Sequence, residues 1–188
     1  MLTIDSSWER DFMAIHKLHP SSTTSNDWGT QGGGDAHDEL ADTDDNTSIQ
    51  TQGVNRVCIV QLDDFAETFD SIDSIRHYIR GYKYVARSGT IDVQVILENS
   101  SGTTLYSEDH ALAVNGYTPQ DFNGTSRATS DGSSAWTDGD LDGLRLNINT
   151  SPEDPPGNSW ARVVKAYVEV TYTTTAVADN ATFFGANF

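Results

Sequence analysis

Three groups of residues have the types and spacing to do chemistry. The first is Asp138-Gly139-Asp140-Leu141-Asp142-Gly143. Acids at alternate positions followed by glycine open a calcium loop, in which oxygens surround a hard cation. The twelfth position of such a loop is Asn149, not a bidentate glutamate. A second account uses the same stretch. Thr137 and Asp140 stand close to capping-box spacing, so Thr137 to Leu144 reads as a short capped turn that presents Leu141 and Leu144 to a core. The capped turn is favoured, and Ca2+ held by Asp138, Asp140 and Asp142 is the alternative.

The second group, Asp35, His37, Asp38, Glu39 and Asp42, holds the ingredients of a divalent metal site. Such sites need ligands held in place by a supporting shell. Three glycines adjoin this run, and a solvated acidic loop is the plainer reading. The third group is Tyr78, Arg80, Tyr82 and Tyr84, which share one face if their segment is a strand. Aromatics with arginine on a flat sheet suit sugar rings or a subunit interface. Subunit contact ranks first and glycan binding second. The opposite face carries His77, Ile79, Lys83 and Val85.

No nucleophile elbow, phosphate-binding P-loop, H-E-x-x-H zinc motif or dinucleotide fingerprint occurs. Histidines stand at 16, 19, 37, 77 and 110. Asp109-His110 is half of a dyad in sequence only, since neighbours in a strand point to opposite faces. The expectation is a protein that binds or assembles and has no catalytic residues. Paired carboxylates for glycoside hydrolysis remain the one catalytic option, because acids are everywhere.

The elements that must position these residues are short. Residues 6–18 read as a helix: Ser6 and Glu9 have capping-box spacing, Trp8, Phe12 and Ile15 fall on one face, and Pro20 stops it. A helix so short is marginal alone, so its apolar stripe must dock, and a partner is the favoured target. Residues 21–52 read as an acidic, polar linker or arm, with Trp28, Leu40 and Ile49 as its few core-forming residues. From about Gly53 to residue 174, short strands divided by turns argue for an antiparallel β-sandwich. Apolar residues alternate at 91, 93, 95 and 97, at 144, 146 and 148, and from Val164 to Tyr172. Residues 175–188 carry Phe183, Phe184 and Phe188 in a small, polar context and read as a docking tail.

Charge is the loudest feature of composition. The net value is −17 with a pI near 4.3, built from 21 Asp and 7 Glu against 8 Arg and 3 Lys. Such a surface repels nucleic-acid phosphates and anionic membranes, so neither is an expected partner. Molar salt shortens the Debye length to about 3 Å and removes the self-repulsion, which suits a halophilic setting. No signal peptide and no membrane span are expected, and Cys58 is the single cysteine, so no internal disulfide forms. Sequons occur at Asn46, Asn99, Asn123, Asn149 and Asn180.

Several segments together resemble a family of jelly-roll modules in the virion proteins of tailed viruses. Asp42-Thr43-Asp44-Asp45-Asn46-Thr47-Ser48-Ile49 resembles its acidic D-D-x-T-S-I opening. Tyr84-Val85-Ala86-Arg87 followed by Ile91 to Leu97 resembles its central hairpin. Trp136-Thr137, Asp140-Leu141 and Leu144 resemble its W-T-x-x-D-L-x-x-L signature, and Arg162 to Tyr172 resembles its terminal strand. The likeness spans about residues 28–174, and its tryptophan motif supports the capped turn. It implies a jelly-roll sandwich without catalytic activity, a place in the virion, other virion proteins such as a major capsid or tail protein as partners, and homo-oligomerisation. A capsid-surface decoration or turret is the leading expectation. A tail, fibre or baseplate component is the near alternative, and a carbohydrate-binding module the alternative from another class.

Overall fold

The computed structural model describes residues 11–53, 55–84, 91–112, 118–150 and 160–175. Trp8, Phe183, Phe184 and Phe188 lie outside them. The strands in chain order are β1 (Asp11–Leu18), β2 (Pro20–Asn26), β3 (Gly29–Thr30), β4 (Ile49–Thr51), β5 (Val57–Leu62), β6 (Ser71–Tyr84), β7 (Ile91–Glu98), β8 (Thr104–Leu112), β9 (Gln120–Asn123), β10 (Arg145–Thr150) and β11 (Trp160–Thr175). Two short helices, α1 (Ala36–Ala41) and α2 (Asp138–Leu141), complete the described elements.

Period-two alternation decides the layers. Cys58, Val60 and Leu62 of β5, Val93, Val95 and Leu97 of β7, and Leu146 and Ile148 of β10 all turn inward and are buried. They face Ile75 and Ile79 of β6 and Val163, Ala166, Val168 and Val170 of β11 across a single core. The front sheet runs β3-β4-β11-β6-β9, with β1 added on β11; the back sheet runs β2-β5-β10-β7-β8. Every pairing is antiparallel.

The pairings are nested. β4 lies beside β11, β5 beside β10, β6 beside β9 and β7 beside β8. One long hairpin has thus been rolled so that its two arms supply four strands to each sheet, which is the jelly roll, and β1, β2 and β3 extend the sheets beyond it. The all-β, jelly-roll-like sandwich expected from the strand pattern is what forms.

The N-terminal region departs from expectation. Residues 11–18 form no helix; they are β1, paired with β11 from Asp11↔Thr175 to Leu18↔Val168. A helix as short as residues 6–18 is marginal, whereas an open edge of β11 offers a ladder to eight consecutive residues. Pro20, expected to stop a helix, instead begins β2 in the other sheet, with only His19 between the two strands. Leu18 is fully buried at this crossing.

Residues 21–52 are likewise no free arm. β2 extends the back sheet, β3 and β4 extend the front sheet, and α1 packs on β2 and β11. Trp28, Leu40 and Ile49 all enter the core. The organising residue is Glu39, 3% exposed. Its carboxylate accepts hydrogen bonds from the backbone N–H groups of Gly32, Gly34 and Ser48 at 2.9, 2.9 and 3.0 Å. A Cβ on Gly32 would lie 2.5 Å from those oxygens. The glycine run therefore serves close approach to a buried anion, and composition that suggests flexibility builds an ordered loop. Among the described residues, no helix is long and apolar enough to cross a membrane.

Candidate functional site

Tyr78, Arg80, Tyr82 and Tyr84 do share the outer face of β6, while His77, Ile79 and Lys83 turn inward. Register on β11 sets Tyr167 opposite Tyr78, Lys165 opposite Arg80 and Arg162 opposite Tyr82. These three could not all face outward from a regular strand, since 162 and 165 differ in parity. A bulge between Val163 and Lys165 resolves this: Val163 and Val164 are both buried, and the alternation resets. Gly81 makes the bulge affordable in space, because a Cβ there would stand 2.6 Å from the Arg162 carbonyl oxygen.

The face so built is aromatic and cationic. Tyr78 and Tyr167 stack with centroids 4.4 Å apart and planes 21° apart. Lys17 of β1 lies 4.6 Å from the Tyr167 centroid and 3.8 Å from Glu169. Arg76 donates from Nε to Glu169 at 2.7 Å. Arg80 is committed to two carboxylates: Nε and Nη2 reach Asp45 at 2.9 and 2.8 Å, and Nη1 reaches Asp121 at 2.7 Å. The Tyr78 hydroxyl also donates to Asp121. The Arg80 bonds hold the Asp45 carboxyl below its ordinary range. The Tyr78 bond, then Arg80, does the same for Asp121. Burial, then the Asp121 bond, pushes the Tyr78 phenol up.

Arg162 is held differently. Its guanidinium carbon lies 3.9 Å from the Tyr84 ring centroid, and Nη1 donates to the Tyr82 hydroxyl at 3.1 Å. Its Nε is buried without a hydrogen-bond partner. Arg162, Tyr82, Tyr84 and the Arg80–Asp45 pair line a cleft of about 430 Å³, with Gln31, Asn46, Thr118 and Pro119 completing the wall. Polar groups converging around aromatic rings in a concavity are the usual makings of a small-molecule site.

The other expected sites fall elsewhere. Phe12 and Ile15 lie on opposite faces of β1; with Met13 they are 54%, 61% and 74% exposed. The aspartates of 138–142 form the capped turn. Oδ2 of Asp140 accepts from the backbone N–H and the hydroxyl of Thr137 at 2.9 and 2.7 Å, and Leu141 and Leu144 are fully buried. Among the described residues, the ligand-type side chains that converge are Asp35, His37 and Asp38, within 4.8 Å of one another. These already serve the fold. Asp38 accepts from the Asp35 N–H at the start of α1, and His37 Nδ1 meets the Thr23 hydroxyl at 3.0 Å.

One feature gave no sequence signal. His77 of β6 and His110 of β8 meet across the sandwich with Nε2 atoms 2.6 Å apart, and both are buried. Burial, then His110, pushes the His77 imidazole down to about 4. Asp109, next to His110, is exposed, and its charge, after that of Glu108, only partly offsets the effect of burial on His110.

No protein-family model matches the chain, and no curated protein is similar to it. Among solved structures, the chain is similar to the CBM22-1 xylan-binding domain of Paenibacillus barcinonensis Xyn10C, at 14% identity and a TM-score of 0.42, over 84% of this chain and 94% of that one. It is similar to the arabinose-bound α-L-arabinofuranosidase MgGH51 at 12% identity and a TM-score of 0.44, over 82% of this chain but only 23% of that one. A protein in the structure of infectious bursal disease virus, Gt strain, is 11% identical with a TM-score of 0.39, over 85% of this chain and 32% of that one.

Proposed function

We propose that this chain is a structural module of a tailed-virus particle, without catalytic activity, that sits on the particle surface as a decoration or turret component. The observation that carries this reading is β1. Among the described residues it is an edge strand, and it carries their exposed large apolar side chains, Phe12, Met13 and Ile15, on an acidic molecule. Exposed apolar residues on a strand edge invite another chain, through backbone pairing and side-chain burial. A virion subunit has such a neighbour permanently, either a copy of itself or a capsid protein. The resemblance of residues 28–174 to jelly-roll virion modules supports the same reading. Tail, fibre or baseplate attachment would use the same strand.

The test is mass spectrometry and immunogold labelling of density-purified particles from the source virus. The expected result is the chain at stoichiometric level on the particle exterior, with release from the particle on substituting Met13→Glu and Ile15→Glu. Presence only in the infected-cell lysate would sink the proposal. A second reading, glycan binding, is favoured by one observation: the cleft beside Tyr82 and Tyr84, whose wall carries amide, hydroxyl and guanidinium groups. Binding on a glycan array that is lost on Tyr82→Ala would support it. The two readings are compatible, since a particle surface is where a receptor-binding face is useful.

A further inference from the structure

We propose that the cleft between β6, β11 and the loop around Asp45 recognises a carboxylate-bearing sugar, a uronic acid unit of an acidic glycan, with Arg162 as the carboxylate anchor. The inference rests on the glycan reading above and narrows its ligand class.

Carboxylates outnumber cations 28 to 11 in this chain, so a guanidinium finds a partner easily. Arg76, Arg80 and Arg145 each do. Arg162 lies beside Arg80 on the front sheet, yet, like Arg56 and Arg127, it has no carboxylate partner among the described residues. Asp45, the acid that lines the same cleft, is taken up by both Nε and Nη2 of Arg80. Among the residues that line the cleft, Arg80 and Arg162 stand against Asp45, so the lining carries one excess positive charge within a molecule of net charge −17.

Geometry then selects the ligand. A guanidinium held 3.9 Å from one tyrosine centroid and hydrogen-bonded to a second tyrosine is restricted in orientation, and its planar donor fork suits a carboxylate better than a point charge would. The Tyr82 hydroxyl, which accepts one Arg162 bond, steadies the group further. Around it, Gln31, Asn46 and Thr118 offer the neutral donors and acceptors that sugar hydroxyls require. The volume of about 430 Å³ suits one or two pyranose rings. Phosphate esters match the fork but not the hydroxyl-binding wall. Long-range repulsion from the acidic surface also disfavours polyanions of high charge density more than a glycan with one charge per residue.

The test is isothermal titration calorimetry of the full chain with tetragalacturonate, xylotetraose and free galacturonate, in moderate salt. Tetragalacturonate is expected to bind, with xylotetraose at least tenfold weaker. Arg162→Gln should weaken tetragalacturonate by tenfold or more, because a charge-assisted contact to a buried partner is lost, and should leave xylotetraose unchanged. Arg162→Lys should recover part of the affinity and verifies that the loss is not misfolding, alongside an unchanged melting curve. Equal binding of both tetrasaccharides, unaffected by Arg162→Gln, overturns the uronate proposal while leaving glycan binding intact. Binding of neither overturns both. Binding of free galacturonate as tight as the tetramer limits the site to a single sugar and still supports the carboxylate anchor.

Discussion

At the scale of single residues, the His77–His110 pair governs behaviour in acid. Both imidazoles are pushed below their ordinary value by burial. Around them stand Tyr106 and Glu108 of β8, Phe122 of β9, and Arg127. The unfolded chain takes up these protons near pH 6.5 and the folded chain does not, so stability is full above 6.5 and falls as pH drops towards 4. His77 alone should account for about 3 kcal/mol at the acid end of that window. Urea denaturation at pH 7 and pH 4.5 measures this, and His77→Gln should flatten the dependence. A profile unchanged in that variant would place the acid sensitivity elsewhere. Gly81→Ala is expected to cost roughly 1–3 kcal/mol, because its Cβ would press on the Arg162 carbonyl across the bulge. Neither feature was legible in the sequence. His77 and His110 are far apart in the chain, and nothing local joins them. The bulge had one trace, the consecutive Val163-Val164 that interrupts the alternation, but without it Arg162 could not be placed beside Tyr82. The Tyr78–Tyr84 row was legible because it needs only period two.

At the scale of elements, β1 separates two kinds of apolar residue. Leu18, at the crossing between the sheets, is fully buried, and Leu18→Ala should cost about 2–5 kcal/mol in chemical denaturation. Ile15→Glu should change stability by less than about 0.5 kcal/mol, since the side chain is 61% exposed. An equal loss in both variants would mean that β1 buries its outer face within the folded chain. The strands β5, β7, β10 and β11 were readable from alternation because each has one face in the core and their turns are polar. β1 was not, since a partner 150 or more residues away decides its conformation and local spacing happened to fit a helix. The segment 21–52 was misread for a related reason. Its composition is that of a flexible arm, but Glu39 converts three backbone N–H groups into a fixed loop, and the three apolar residues singled out in it were enough to seat it.

At the scale of the whole molecule, the net charge of −17 predicts a strong dependence on salt. Screening shortens from about 10 Å at 0.1 M to about 3 Å at 1 M, so self-repulsion across the surface fades. The melting temperature should rise from dilute buffer to molar NaCl, as scanning calorimetry would record. A flat response would rule out the halophilic setting that the charge suggests. The rolled topology has its own effect on the order of events during synthesis. Among the described residues β1 pairs only with β11, from Asp11↔Thr175 to Leu18↔Val168, and β2 to β10 lie between them in the chain. The first described strand to leave the ribosome is therefore the last that can find its partner. Until β11 emerges, Phe12, Met13 and Ile15 stand on a nascent chain with an open backbone, among many neighbours making the same protein. A truncated product lacking β11 would keep that sticky segment permanently available, and intact subunits with an exposed β1 edge would be its nearest targets.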